Sequence, residues 1–252
     1  MNIAGIILAA GKGTRIKSKD RNKVTLPFLN KPLIIYAVEL LSGVANPVVV
    51  VVGAFYESVK DALRGHTVVY THQRKRLGTA HAAKVGLKKM DNYSPTPEMV
   101  LISYGDHAMF YSKETVLKLI DLHKTEKAVM SIITTSFDSP NSLAWGRIIR
   151  KENNYIVDIV EQKDATQQQL KIKELNAGFY CFDFNFLKNN IKKIKKSKVS
   201  GEYYLTDLVK IAADQRNKVV GLKVHFSGVG IGINRYDELE ESQKIYVQRG
   251  KD

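Results

Sequence analysis

Several groups of residues in this 252-residue chain have types and spacings suited to phosphate chemistry. Leu8-Ala9-Ala10-Gly11-Lys12-Gly13-Thr14-Arg15 follows directly on the apolar run Ile3 to Ala9. Its glycines let backbone amides approach phosphate oxygens closely, and Lys12 and Arg15 add positive charge. The spacing matches neither a Walker loop nor the dinucleotide glycine pattern, so by itself the segment is equally a tight turn. Eight residues beyond Arg15 stands Lys23, and eight beyond that comes Lys31-Pro32-Leu33. Asp106 closes Tyr104-Gly105-Asp106 after the strand-like Met99 to Ser103. A carboxylate at a strand's C-terminal end lies where open α/β sheets gather ligands, although an aspartate there is also an ordinary turn residue. Asn234, just before Tyr236-Asp237-Glu238, has a second reading as a helix N-cap. Glu161 is either a site residue or an exposed strand-end charge, the commoner fate of a glutamate.

The elements that must position these groups alternate in an α/β rhythm: Ile3 to Ala9, Leu33 to Leu41, Val48 to Val52, Tyr56 to Leu63, Thr67 to Tyr70. Pro32 is placed for the opening turn of the first helix and Gly43 for its end. A second helix is expected after Thr79, with Ala83 and Leu87 facing inward, and a third from Ser112, with Thr115 and Leu119 a turn apart. From about residue 145 the pattern changes. Gly146 to Arg150 and Tyr155 to Glu161 alternate around Asn153-Asn154, a two-residue hairpin turn that sets Gly146 opposite Glu161. A strand is expected at Ala177 to Phe184, a helix at Glu202 to Ala213, and a last helix from Arg235 to Val247 with Tyr236, Leu239 and Tyr246 near one face.

LAAGKGTR, a lysine, and then Lys-Pro-hydrophobic resemble the opening signature of the sugar-1-phosphate nucleotidyltransferases. Gln73 with Leu77-Gly78-Thr79-Ala80-His81 is similar to the base-binding segment of the uridylyltransferase domain of bifunctional N-acetylglucosamine-1-phosphate uridylyltransferases. Tyr104-Gly105-Asp106, Trp145-Gly146-Arg147-Ile148, Ile159-Val160-Glu161 with Lys163-Asp164-Ala165, Glu174-Leu175-Asn176-Ala177-Gly178 and Gly201-Glu202-Tyr203-Tyr204-Leu205-Thr206-Asp207 recur in that family in the same order. The resemblance runs from residue 3 to about residue 240. It implies a Rossmann-like α/β fold: a mixed, mainly parallel central sheet with helices on both faces, plus a small β-hairpin sugar-binding lobe. The implied division is a catalytic domain over 1–230, its nucleotide part about 1–110 and its sugar part about 111–230, followed by a C-terminal helical arm over 231–252.

Residue by residue, the resemblance implies that Leu8, Ala9, Ala10, Gly11, Gly13, Thr14, Gln73, Gly78 and Thr79 bind the nucleotide, and that Arg15 and Lys23 contact its phosphates and act in catalysis. Asp106 and Asn234 would hold Mg²⁺, a cation that prefers oxygen ligands and commonly uses only one or two protein groups beside substrate phosphates. Gly105, Gly146, Glu161 and Asn176 would bind the sugar; the hairpin register brings Gly146 and Glu161 together independently. Glu202 and Asp207 would support the second lobe. The implied reaction transfers a nucleotidyl group from a nucleoside triphosphate, UTP favoured, to a sugar 1-phosphate, N-acetylglucosamine 1-phosphate favoured, in the biosynthesis of cell-envelope nucleotide sugars. The sequence departs from the family pattern at Asn22 (usually proline), Arg76 (glutamine), Ala177 (threonine) and Trp145 (tyrosine), and has one extra residue between Arg15 and Lys23. Another base or hexose phosphate is the alternative, and a non-catalytic relative of the fold is the alternative of another class. The β-helix acetyltransferase domain of the bifunctional proteins lies outside this sequence, so a monomer or homodimer is expected.

Composition bounds the rest. A hydrophobic content of 44% suffices for a packed core. The apolar runs fall far short of the ~20 residues of a membrane span, and no secretory leader is apparent. One cysteine, Cys181, fits a reducing, cytoplasmic setting. The formal charge of +14 owes much to Lys188, Lys192, Lys193, Lys195, Lys196 and Lys198. That run reads as a solvated face, and no nucleic-acid motif accompanies it. A positive field also speeds the encounter with polyphosphate substrates.

Overall fold

Five consecutive valines, Val48–Val52, are buried to the last residue, and so is nearly all of Ile3–Ala9 beside them. Unbroken apolar strands of this kind need cover on both faces, which only helix-flanked, largely parallel sheets provide. The computed structural model describes residues 2–249 except Lys17, Lys19, Asn92 and Asn153. Its strands are β1 Ile3–Ala9, β2 Pro27–Phe28, β3 Lys31–Pro32, β4 Val48–Val52, β5 Val69–His72, β6 Met99–Tyr104, β7 Met130–Ser136, β8 Arg147–Arg150, β9 Ile156–Val160, β10 Glu174–Asp183 and β11 Val219–Lys223. Its α-helices are α1 Leu33–Ser42, α2 Tyr56–Ala62, α3 Thr79–Met90, α4 Lys113–Thr125, α5 Phe184–Asn190, α6 Asp207–Asp214 and α7 Tyr236–Arg249.

The central sheet runs β11-β7-β10-β6-β1-β4-β5, with the β8–β9 hairpin attached to β10. β1, β4, β5 and β6 pair in parallel, as do β7 and β11, while β10 is antiparallel to both its neighbours. Apolar side chains of alternating direction feed two cores, one on each face: Ile6, Val49, Val51, Val100 and Ile102 with α3, α5 and α6, and Ile7, Val50, Leu101 and Phe179 with α1 and α4. This is the mixed, mainly parallel fold expected. A third cluster, Phe28, Leu33, Phe110 and Leu239 with Tyr36 and Tyr246 packed against it, holds α7 onto the molecule.

Some boundaries differ from the sequence reading. Pro32 is the N-cap of α1, not part of its first turn, because it pairs with Pro27 in the β2–β3 ribbon. Residues 202–206 are not helical; α6 begins at Asp207. Their amides are used elsewhere, Tyr203 N donating to Leu77 O at 2.8 Å and Leu205 N to Thr79 Oγ1 at 2.9 Å. Tyr236 is 56% exposed, whereas Leu239 and Ser242 are buried. In the hairpin the expected register holds through Arg147↔Val160 and Ile149↔Asp158, then slips by one at Arg150↔Ile156. The turn is therefore longer than two residues and ends in Asn154 at φ 66°; Asn153 lies outside the described residues. Ser112 does cap α4, its hydroxyl accepting from Thr115 N at 3.1 Å. The lysine run from 188 occupies α5, the short helical turn Ile191–Lys193 and the following loop.

His123 on α4 is 4% exposed and lies 2.9 Å from Ser131 Oγ on β7. Burial pushes its ring down to about 4, only partly opposed by Asp183. An unfolded histidine titrates near 6.5. The neutral ring's stabilisation is thus complete above about pH 6.5 and is lost as pH falls from there to about 4, where only the unfolded chain takes up the proton. Urea unfolding of the natural chain should lose about 3 kcal/mol more than His123→Gln between pH 7 and pH 4. Equal losses would show that His123 ionises in the folded protein without cost.

Candidate active site

The C-terminal ends of β1 and β6 are neighbours because these strands pair in parallel up to Leu8↔Tyr104. The chain leaves β1 into the loop Ala10–Arg15 and leaves β6 into Gly105-Asp106. Gly105 N donates back to Leu8 O at 3.1 Å, so the two turns are joined. Leu8, Ala9 and Ala10 are buried, while Gly11, Lys12, Thr14 and Arg15 face solvent. A side chain at Gly11 would meet nothing within 4 Å, which marks open space over the loop.

Four candidate residues from separate stretches of sequence converge beside that loop. Lys23 Nζ is ion-paired with Asp106 and donates to Asn234 Oδ1 at 3.1 Å and to Ile233 O at 2.9 Å. Arg15 donates to the same Asn234 oxygen at 2.6 Å. The Lys23 and Asp106 side chains are only 16% and 15% exposed, so this pair is screened far less than a surface pair. Asp106 O accepts from Ile233 N at 3.1 Å, which sets Asn234 beside the carboxylate. Asn234 does not cap α7. Glu238 does so, its carboxylate accepting from Asn234 N at 2.7 Å and from Arg235 N at 2.9 Å. The asparagine amide oxygen is left for Arg15 and Lys23.

Gln73, Gly78 and Thr79 lie along the start of α3. Gln73 is 4% exposed, and its amide donates to Gly78 O at 3.2 Å and lies 2.9 Å from His81 Nδ1. Burial and the ammonium groups of Lys84 and Lys88 hold His81 below its ordinary range, which suits an accepting Nδ1. Gly78 has φ 107°, and a Cβ there would stand 2.5 Å from Tyr203 O, so only glycine fits. Residues 77–80 and 203–205 are zipped together by Tyr203 N to Leu77 O, Ala80 N to Tyr203 O and Leu205 N to Thr79 Oγ1. Arg76 is exposed in the loop between Gln73 and Gly78.

A second group forms where the hairpin meets β10. Gly146 O accepts from Asn176 N at 2.9 Å, and a Cβ on Gly146 would lie 2.6 Å from Ile159 Cγ2 and 3.6 Å from Glu161 Oε1. The register shift in β10 between Asn176 and Tyr180, with Gly178 inside it, turns Asn176 aside. Asn176 donates to Tyr180 OH at 2.8 Å and accepts from Gly178 N at 3.0 Å. Glu161 accepts from Thr206 Oγ1 at 2.8 Å; burial pushes its carboxyl up, against the pull of that hydrogen bond, and Asp207, Asp164 and Glu202 push the same way as burial. Thr206 was not singled out in the sequence, since its partner is 45 residues away. Arg147 is fully buried and spends its guanidinium on the carbonyls of Pro140, Leu143 and Trp145 and on Asn141 Oδ1, bracing the loop before Gly146. Two departures from the family pattern are absorbed by packing: Ala177 lies wholly in the core of the α1–α4 face, and Trp145 packs on His107 at 4.8 Å between ring centres.

Known proteins resemble this chain along nearly its whole length. The proteins called bifunctional protein GlmU from Caldicellulosiruptor saccharolyticus and Caldanaerobacter subterraneus are 38% and 37% identical over 250 and 248 residues, 98% of this chain in each case. The chain spans about half the length of these curated relatives, 52% of each. Among solved structures, UDP-glucose pyrophosphorylase complexed with UDP-glucose superposes with a TM-score of 0.79 at 20% identity, covering 99% of this chain and all of that one. Its apo form gives 0.78 at 19%, with the same coverage. At such identities these likenesses establish the fold. Among the described residues no helix is long and apolar enough to cross a membrane. Residues 4–228 match the nucleotidyl transferase family, and the chain belongs to it.

Proposed function

We propose that this chain catalyses the Mg²⁺-dependent transfer of a nucleotidyl group, from UTP in preference to other triphosphates, to N-acetylglucosamine 1-phosphate. The products are the nucleotide sugar and pyrophosphate. The observation that carries the proposal is the convergence of Arg15, Lys23, Asp106 and Asn234 beside an open glycine loop at the end of two parallel strands. A non-catalytic relative has no need to keep two cations and two oxygen donors in register. In this reading residues 1–110 carry the nucleotide, 111–230 the sugar, and the arm from 231 supplies Asn234.

The donor set fits magnesium: a carboxylate and an amide oxygen, both hard ligands, meet at one point, now filled by the Lys23 ammonium. Asp106 and Asn234 would hold the ion together with substrate phosphates, and bound there it would neutralise phosphoryl charge. Leu8 to Thr14 lie against the triphosphate, Gln73, Gly78 and Thr79 against the base, and Gly105, Gly146, Glu161 and Asn176 against the sugar. A phosphate oxygen of the sugar phosphate attacks the α-phosphorus. As that P–O bond forms, the bond from the α-phosphorus to the bridging oxygen breaks, and pyrophosphate leaves on the opposite side. Arg15 and Lys23 stabilise the charge that builds on the transferring group and the leaving group. The attacking oxygen is already ionised at neutral pH, so no general base is assigned.

Pyrophosphate release across UTP, GTP, CTP, dTTP and ATP against N-acetylglucosamine, glucosamine and glucose 1-phosphates should be greatest for UTP with the first sugar. A different preferred pair would retain the mechanism and move specificity to the surroundings of exposed Arg76 and of Gly146. Silence across the matrix would leave the fold without the activity. Asp106→Asn should lower kcat/KM about 10²–10³-fold. Glu161→Gln should raise KM for the sugar phosphate about tenfold while leaving KM for the triphosphate within about twofold. Parallel losses for both substrates would place Glu161 in the scaffold instead.

A further inference from the structure

Asn22 is fully buried at the rim of the site. Its side-chain amide donates to Ala54 O at 2.8 Å, Gly11 O at 3.0 Å and Ala9 O at 3.1 Å, three carbonyls around two hydrogens. Its Oδ1 accepts from Val24 N at 3.2 Å, capping the short helical turn Lys23–Thr25, and its own N donates to Ser58 Oγ at 3.0 Å. One side chain thus joins the end of β1, the middle of the glycine loop, the turn after β4 and the turn that carries Lys23.

The consequence follows from peptide geometry. In a planar trans peptide the carbonyl and the following N–H point in opposite directions. Holding Ala9 O and Gly11 O inward on Asn22 turns the N–H groups of Ala10 and Lys12 outward. At Gly11 and Lys12 the loop is open: both residues are exposed, and nothing stands within 4 Å of the place a Gly11 side chain would take. The amide oxygen on Val24 N meanwhile fixes the turn from which Lys23 reaches Asp106 and Asn234. We infer that Asn22 is a positioning residue: it presets the outward amides of the phosphate loop and couples them to Lys23, so that loop and ammonium meet the triphosphate already aligned. This rests on the reading of the loop as the triphosphate site.

The comparison is Asn22→Ala against Asn190→Ala, a buried asparagine on α5 that donates to Phe186 O at 2.9 Å, remote from the site. In the nucleotide-free protein, deuterium uptake over residues 8–16 should be several-fold faster in Asn22→Ala and unchanged in Asn190→Ala. KM for UTP should rise about tenfold in Asn22→Ala, the loss expected for a preorganising bond, with KM for the sugar phosphate within about twofold. Asn22→Ser, which keeps a small polar group in the same space, should show the same split if the alanine variant does not accumulate. Natural exchange over residues 8–16, or equal losses for both substrates, would overturn the inference and make Asn22 a packing residue. Failure of the unaltered chain to bind any of the five triphosphates would overturn the reading of the site itself, whatever the exchange data show.

Discussion

The ammonium of Lys23, shared between the Asp106 carboxylate and the Asn234 amide, is the interaction on which the rest of the site depends. It ties together the segment after the glycine loop, the end of β6 and the approach to α7, regions up to 211 residues apart in sequence. A largely buried charge is tolerable only when paired and hydrogen-bonded, and removing one partner from such a pair is costly. The ion pair therefore constrains how β1, β6 and the C-terminal arm are set against one another. Once they are set, it leaves two oxygens and two cations in one small volume. The same demand explains why α7 is held down by an aromatic cluster of Phe28, Tyr36, Phe110 and Tyr246: its start has to deliver Asn234.

The start of α3 and the approach to α6 are joined mainly by backbone, not by side-chain charge. Residues 77–80 take up amides of 203–205, so the turn that opens α3 and the approach to α6 form one strap. Thr206, at the end of this strap, holds Glu161 of the hairpin. Changes at Glu161 and at the start of α3 are for this reason mechanically adjacent. Tyr104 and Tyr180 meet through their hydroxyls at 3.4 Å, both phenols pushed up by burial and so kept as neutral hydrogen-bonding groups.

Much of this was legible beforehand. The valine run, the apolar β1 and the Ser112 cap are local signals, since burial on both faces demands unbroken apolar strands and a hydroxyl before a helix satisfies an orphan amide. The hairpin register was readable to Arg147↔Val160 because alternation fixes which residues face each other, but the slip near Arg150 was not, because a bulge leaves no compositional mark. The supposed helix over 202–206 failed for a similar reason: its apolar spacing was compatible with a helix, while its amides were claimed by a strand-like contact more than a hundred residues away. Asn22 stood out only as a departure from a pattern.

By itself the sequence determined the α/β class and the family and offered Arg15, Lys23, Asp106 and Asn234 as candidates, because these are carried by local periodicity and ordered motifs. Tertiary structure alone decided between paired alternatives for single residues. Asn234 is a partner of two cations and not a cap because Glu238 reaches the helix start first. Asp106 is an ion-pair partner and not only a turn residue because parallel pairing of β1 and β6 lays it beside Lys23. Ala177 is core because the strand's alternation turns it away from Asn176. Each of these choices depends on which distant donor or acceptor arrives within about 3 Å, and hydrogen bonds are too short-ranged for residue spacing to specify that in advance.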